Sequence, residues 1–296
     1  MRFVLYVKGD RGVHTLAGLM QHELSPALCV SEKAEAPILD FCKRQSLPVF
    51  VESQPKKAEH IAMVQGYKPE LLVCAGYSKI LPMELFSGMR HGAINCHGGR
   101  LPEYQGASPI PWQIINGETY GIAYVLKMTA GVDDGPILAQ ARYEIGEQET
   151  ARHITDKVAA IFERIIPDVV EAYSLGKPPA GTPQRVENAC HWTRRYPDDG
   201  LIVWSRMTTR QVVNLVRALD DPYPGAYIMR NGEKIIIRRA RLYDQRMAGI
   251  PGRCIGKTQQ GALILATDGA VEVLEFIKAG LCRSGSQFPA RYGETF

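Results

Sequence analysis

The run His91–Ile110 (HGAINCHGGRLPEYQGASPI) holds the residues best able to do chemistry. Its apolar stretch Ala93–His97 reads as a short strand that ends in polar residues. Asn95 and His97 are two apart, so on a strand the amide and the imidazole point the same way. Gly98-Gly99 follows and lets the backbone approach a ligand closely. A second polar cluster, Gly131–Gly135 (GVDDG), reads as a turn between two strands and offers Asp133 or Asp134. An amide can donate to a developing oxyanion, an imidazole can transfer protons near neutral pH, and a carboxylate orients the imidazole and favours its charged form. The same residues also fit a plain reading, a hydrogen-bonded strand-end histidine and an ordinary Asp-Asp-Gly turn.

Alternating strand and helix signals surround these clusters. Phe3–Val7, Leu28–Ser31, Pro48–Glu52, Leu71–Gly76 and Ala93–His97 read as strands. His14–Leu24, Pro37–Cys42 and His60–Gly66 read as helices or their beginnings. This alternation predicts an α/β fold, a Rossmann-like open and mostly parallel sheet with helices on both faces. Crevices beyond the strand C-terminal ends of such sheets hold ligands. Gly121–Met128 and Pro136–Ile145 read as longer strands flanking the GVDDG turn. A helix begins near Thr150, with Ile154, Val158, Ile161, Phe162, Ile165 and Val169 on one face and Pro167 placed to bend it.

The Gly/Pro-rich stretch Gly176–Gln184 marks a change of texture. The expected division is residues 1–183 as a first, Rossmann-like domain, 184–200 as a linker, and 201–296 as a second domain. In the last, one helix (Thr209–Leu219, capped by Thr208 or Thr209) accompanies Ala226–Met229, Ile235–Ile237, Leu263–Ala266 and Val271–Ile277. Asn231-Gly232 is a hairpin signal. Short strands with one helix suggest a small OB-like, β-rich domain.

Composition bounds the function. Hydrophobic residues make up 45% and charged residues 22% of 296 residues, an ordinary globular balance. No run reaches the roughly 18 apolar residues of a membrane helix, and no signal peptide is expected. Seven scattered cysteines without a C-x-x-C pair argue against a disulfide framework or structural zinc, and fit a reducing cytoplasm. Residues 191–296 hold 16 Lys/Arg against 10 Asp/Glu, whereas residues 1–190 hold 19 against 21. A basic C-terminal part attracts phosphates or is simply a solvated surface. Gly9-Asp-Arg-Gly12 does not match G-x-G-x-x-G, which disfavours a nicotinamide site.

Asn95-Cys-His-Gly-Gly-Arg-Leu-Pro followed by Tyr104-Gln-Gly-Ala-Ser-Pro resembles the N-x-H-[GP]-x-x-L-P…G-A-x-P block of formyltetrahydrofolate-dependent formyltransferases. The GVDDG segment resembles that family's second block. The resemblance implies Asn95, His97 and Asp133 as the catalytic set, with Asp133 rather than Asp134 as the carboxylate. It also implies N10-formyltetrahydrofolate as co-substrate and no metal. Leu72–Pro82 (LVCAGYSKILP) resembles the segment that cradles the pterin, and the resemblance implies folate contacts from Ser78, Lys79, Ile80 and Leu81 and from Gly131 and Val132. For the acceptor, the candidates are Gly98 and Gly99, Arg100, which suits a diphosphate, and Tyr104 and Gln105.

The C-terminal run with Pro197-Asp-Asp-Gly, Asn214-Leu-Val-Arg-Ala-Leu and Asp221-Pro-Tyr-Pro-Gly-Ala-Tyr resembles the domain shared by methionyl-tRNA formyltransferase and the formyltransferase half of the aminoarabinose-modifying enzyme. Pro-Tyr-Pro-Gly-Ala is closer to the sugar-modifying type. The implied acceptor is a nucleotide-linked amino sugar of surface-polysaccharide synthesis. Initiator tRNA, an amino-acid or siderophore precursor, and a non-enzymatic folate or nucleotide binder on the same scaffold stay open. So does a homodimer contact through the C-terminal part.

Overall fold

A computed structural model describes residues 1–296. The chain divides into two compact units, one of residues 1–109, 120–144 and 155–192, the other of residues 110–119, 145–154 and 193–296. In chain order the elements are β1 (Phe3–Val7), α1 (Gly9–Gln21), β2 (Leu28–Ser31), α2 (Ala36–Arg44), β3 (Val49–Val51), α3 (Ala58–Gly66), β4 (Leu71–Ala75), α4 (Met83–Phe86), β5 (Ala93–His97) and β6 (Gln105–Gly106). There follow α5 (Pro109–Ile115), β7 (Tyr120–Lys127), β8 (Ile137–Glu144), α6 (Ala151–Ser174) and β9 (His191–Trp192).

The first unit is built on a seven-stranded sheet of order β3-β2-β1-β4-β5-β7-β8. Strands β3 to β5 run parallel, and β7 and β8 antiparallel. It is therefore a mixed, mostly parallel sheet with helices, as expected. β1, β2 and β4 are buried along their whole length, the signature of strands covered on both faces. Helix α1 starts at Gly9, earlier than the apolar spacing from His14 implied. Glycine hid the start: a Cβ at Gly12 would lie 2.8 Å from Val7 Cβ, and one at Gly18 only 2.0 Å from the Glu163 carbonyl oxygen of α6. Along α6, Ile154, Val158, Phe162 and Val169 are buried, Ile166 takes the place given to Ile165, and Pro167 lies inside the helix.

The second unit is a β domain. It comprises α7 (Thr209–Ala218), β10 (Ala226–Arg230), β11 (Glu233–Leu242), β12 (Cys254–Lys257), β13 (Ala262–Leu265), β14 (Ala270–Lys278) and β15 (Leu281–Ser284). The strands form one antiparallel sheet of order β10-β11-β14-β13-β12, with β15 on β14. Asn231 and Gly232 both have positive φ and close the β10–β11 hairpin. Thr208 caps α7 by accepting from the Gln211 backbone N–H. The apolar face of α7 (Val212, Leu215, Val216, Leu219) joins Ile235, Ile264, Val271, Phe276 and Phe288 in one core. No helix of the chain is long and apolar enough to cross a membrane.

Candidate active site

β5 is an internal strand, parallel to β4 and antiparallel to β7, so its backbone is held on both sides. Its alternation puts Asn95 and His97 on one face and Cys96 on the other. Cys96 is buried, and burial pushes its thiol well above the ordinary range, as expected of a small hydrophobe rather than a nucleophile. Cys74 on β4 is likewise pushed up by burial, to about 12.

The carboxylate reaches this face by an indirect route. β7 runs against β5, with His97 opposite Tyr124 and Ile94 opposite Lys127. The turn after β7 therefore begins beside Ala93, whose carbonyl accepts the Met128 N–H at 2.8 Å. To meet His97 the loop Met128–Pro136 must climb back across the sheet face, a rise of about 13 Å at strand spacing. Asp133 completes that climb in the left-handed region, with φ 55°.

Three N–H groups converge on the Asp133 carboxylate. Asn95 Nδ2 donates to Oδ1 at 2.9 Å, the Gly106 backbone N–H donates to Oδ2 at 3.0 Å, and His97 Nδ1 lies 3.3 Å from Oδ2. Burial alone raises the pKa of this carboxyl, but the adjacent His97 and these hydrogen bonds outweigh it, and the group is held below its ordinary range. His97, only 4% exposed, also directs Nε2 to the Tyr104 carbonyl at 2.7 Å. Both ring nitrogens thus face acceptors, and only the imidazolium satisfies both.

The chain matches the family model described as formyl transferase over residues 14–170, and the formyl transferase C-terminal domain over residues 195–286. A methionyl-tRNA formyltransferase of Acetivibrio thermocellus is 31% identical over 246 residues, 82% of this chain and 77% of that protein. The chain belongs to the formyl transferase family. It is therefore a one-carbon transferase, of a family that uses formyltetrahydrofolate. Among solved structures, the fold is shared with an N-formyltransferase of Helicobacter canadensis in complex with folinic acid and dTDP-3-aminofucose (TM-score 0.67, 15% identity, 92% of this chain and 98% of that one). It is also shared with HypX of Aquifex aeolicus in complex with tetrahydrofolic acid (TM-score 0.64, 18% identity). That match covers 97% of this chain and 46% of HypX, so this formyltransferase spans under half of HypX's length.

The remaining residues singled out in the sequence fall into three groups. Around β4, Ser78 is held by a buried carboxylate: its N–H and Oγ–H donate to Glu32 at 2.7 and 2.9 Å, and Lys8 reaches both Glu32 (3.0 Å) and Ser78 Oγ (3.1 Å). Burial opposes the charge on Glu32, but these donors hold its carboxyl below the ordinary range. Lys79 is exposed, Ile80 is 70% exposed, and Leu81 sits in the apolar core with Leu72, Leu85 and Phe86. On the Asp133 loop, Gly131 and Val132 are exposed.

In the loop after His97 the glycines are buried and tight. A Cβ on Gly99 would lie 2.5 Å from Pro109 Cβ and 3.3 Å from His97 Nε2, and the Gly98 carbonyl accepts the Tyr143 hydroxyl at 2.7 Å. Tyr104 is buried with its ring stacked on Trp192, and Gln105 is 3% exposed and pairs with His191 across the β6–β9 ladder. Both are therefore buried within the unit. Arg100 lies over the Tyr120 ring, 4.7 Å from its centroid, and Arg142 lies over the same ring at 4.0 Å.

Arg142, the Gly106 N–H and Gln184 carry no signal in the local sequence. Arg142 stands among alternating residues of an edge strand and carries no motif. A backbone donor has no side-chain signature, and Gln184 closes a stretch that reads only as loop. A hollow of about 830 Å³ between α1, β8 and α6 touches none of Asn95, His97 and Asp133, so it is set apart from the site.

Proposed function

We propose that this formyltransferase moves the formyl group of N10-formyltetrahydrofolate to the primary amine of a nucleotide-linked amino sugar. Asn95, His97 and Asp133 are the catalytic set in this reading. The amine lone pair forms the new C–N bond, and the carbonyl π pair moves onto oxygen. The second N–H of the Asn95 amide and the positive charge of His97 stabilise that oxyanion. Collapse breaks the bond from carbon to N10, and the proton lost by the amine is delivered to N10, leaving a formamide and tetrahydrofolate. Asp133 holds the imidazolium. For His97 to pass the proton itself, Nε2 must leave the Tyr104 carbonyl, so the charge role needs no movement and the relay role does.

The folate fits the apolar side chains that Ile80 and Val132 leave exposed on two loops. β4, which leads into the Ile80 loop, is the direct neighbour of β5 at Cys74 and Asn95, and the Val132 loop reaches Asn95 itself. A flat heteroaromatic ring buries such groups favourably.

The observation that carries the acceptor reading is the meeting of Arg100 and Arg142 on Tyr120, beside the loop that follows His97. Two guanidiniums held on one ring suit a diphosphate. The connections at the same end of the sheet are short, with Lys8 alone joining β1 to α1 and Glu32–Glu35 joining β2 to α2. A cavity of about 600 Å³ lined by Leu101, Glu103, Gln140, Gln184 and Arg185 is of small-molecule size.

Methionyl-tRNA is the second reading, favoured by the names of the relatives and the Arg-rich C-terminal unit. The test is tetrahydrofolate release with nucleotide-linked amino sugars, methionyl-tRNA and free amino acids as acceptors. Turnover with an amino sugar alone is expected. Turnover only with methionyl-tRNA, with a steep loss as salt rises, would replace this reading by the second.

A further inference from the structure

We infer that Gln184 is a positioning residue for the reaction: its side-chain amide clamps the loop that carries Asp133 and so sets the carboxylate against His97. The inference rests on the reading of His97 and Asp133 as a working pair.

The loop Met128–Pro136 crosses a sheet face without a ladder partner of its own. Gly131, Val132 and Asp134 are exposed, and within the loop the side-chain bonds are local, from Thr129 to Asp134 and from the Gly131 N–H to Thr129. The contacts that tie Asp133 to the rest of the unit through its backbone come from two glutamines. Gln184 Nε2 donates at 2.8 Å to the Asp133 carbonyl and at 2.8 Å to the Gly135 carbonyl. Gln105 Nε2 approaches the Asp133 carbonyl at 3.3 Å and Gln184 Oε1 at 3.4 Å. One amide group thus bridges both sides of the turn at the residue with positive φ. The amide orientation follows from its partners: flipped, Oε1 would face two carbonyl oxygens.

Gln184 is itself anchored. Two residues earlier, Thr182 exchanges both backbone hydrogen bonds with Ile137, each at 2.8 Å, and Gly181 lies so close to Pro136 that a Cβ there would be 2.9 Å from its ring. The segment after α6 therefore docks on the start of β8 and delivers Gln184 from behind the loop. Neither glutamine hydrogen-bonds to the side chains of Asn95, His97 or Asp133. Their effect passes through the place and direction of one carboxylate, where a misplacement of about 1 Å can cost roughly a hundredfold in rate.

The test compares wild type, Gln184→Ala, Gln184→Glu and Asp133→Asn. Turnover is followed between pH 6 and 8.5 with N10-formyltetrahydrofolate and a dTDP-linked amino sugar, or methionyl-tRNA if that is the acceptor the panel selects. Gln184→Ala is expected to lower kcat by about ten- to a hundredfold, with KM for the folate within about twofold. In Gln184→Glu the carboxylate would face two carbonyl oxygens, which favours its protonated form, and that form restores one donor. Its deficit relative to wild type is therefore expected to shrink as pH falls, which loss of packing would not produce.

Wild-type kcat in both Gln184 variants, with Asp133→Asn inactive, would overturn the inference and leave the catalytic pair standing. Equal, pH-independent deficits that follow a loss of folded protein would also overturn it. Wild-type turnover in Asp133→Asn would overturn the pair itself, and the inference with it.

Discussion

Asn95 and His97 divide one carboxylate between them: Asn95 donates to Asp133 Oδ1 at 2.9 Å, and His97 Nδ1 stands 3.3 Å from Oδ2. Two residues of one strand face are thus tied to a third that arrives from another part of the chain. Exchanging the carboxylate for an amide removes the negative charge beside His97 and leaves one acceptor oxygen where three N–H groups converge. Asp133→Asn is accordingly expected to lower kcat by at least about a hundredfold, with folate affinity little changed, as read by turnover and by titration with the folate.

Asp133 also carries a pH signature. Its folded pKa lies below the unfolded one. Its contribution to stability is therefore complete above the ordinary carboxylate range near about pH 4 and is lost as pH falls through the lower folded value. Urea midpoints of wild type and Asp133→Asn should differ at pH 7 and converge as pH is lowered toward 3. A gap that stays constant would show that the carboxylate is not held by its charge.

Ile80 exposes its side chain where the folate is placed. Ile80→Ala is expected to weaken folate binding by about tenfold, the equivalent of roughly two methylenes withdrawn from an apolar contact. Its melting temperature should not move. An unchanged Kd would remove Ile80 from the folate surface.

Arg142 shares the Tyr120 ring with Arg100 and reaches Glu144 at 3.0 Å. Arg142→Gln is expected to raise KM for a phosphate-bearing acceptor by roughly three- to tenfold, while folate affinity and kcat stay near wild type. The same KM in the variant would place the acceptor's phosphates elsewhere.

The contact of Gly18 with the Glu163 carbonyl sets how closely α1 lies on α6. Gly18→Ala puts a methyl group where there is no room, and a loss of about 3 kcal/mol is expected in urea unfolding. Ala is otherwise the better helix former, so a more stable variant would show that the two helices separate freely.

What could be read from the sequence follows physical period and local chemistry. β5 has the bounds that its apolar run gave, and the common face of Asn95 and His97 follows from a spacing of two. The turn that brings in Asp133 was visible as Gly and Asp between two strand runs. Its path was not visible, because a strand order of β4-β5-β7 and the antiparallel sense of β7 are properties of pairing. Tyr104 and Gln105 read as part of a polar loop, and their burial by stacking on Trp192 and pairing with His191 was not visible. Those partners lie far along the chain, where local patterns say nothing about them. The early start of α1 was masked by glycines that serve close approach instead of an apolar stripe.

The backward climb of the Met128–Pro136 loop ties Asp133 to the residues it meets through individual hydrogen bonds and not through a strand ladder. Asn95 and His97 belong to an internal strand, whose amides open to solvent only when much of the sheet does. Asp133 is secured chiefly by side-chain amides, which release in smaller and more frequent openings. Hydrogen exchange is therefore expected to open the Asp133 loop before it opens β5, so that the centre comes apart at the carboxylate while the sheet stays formed.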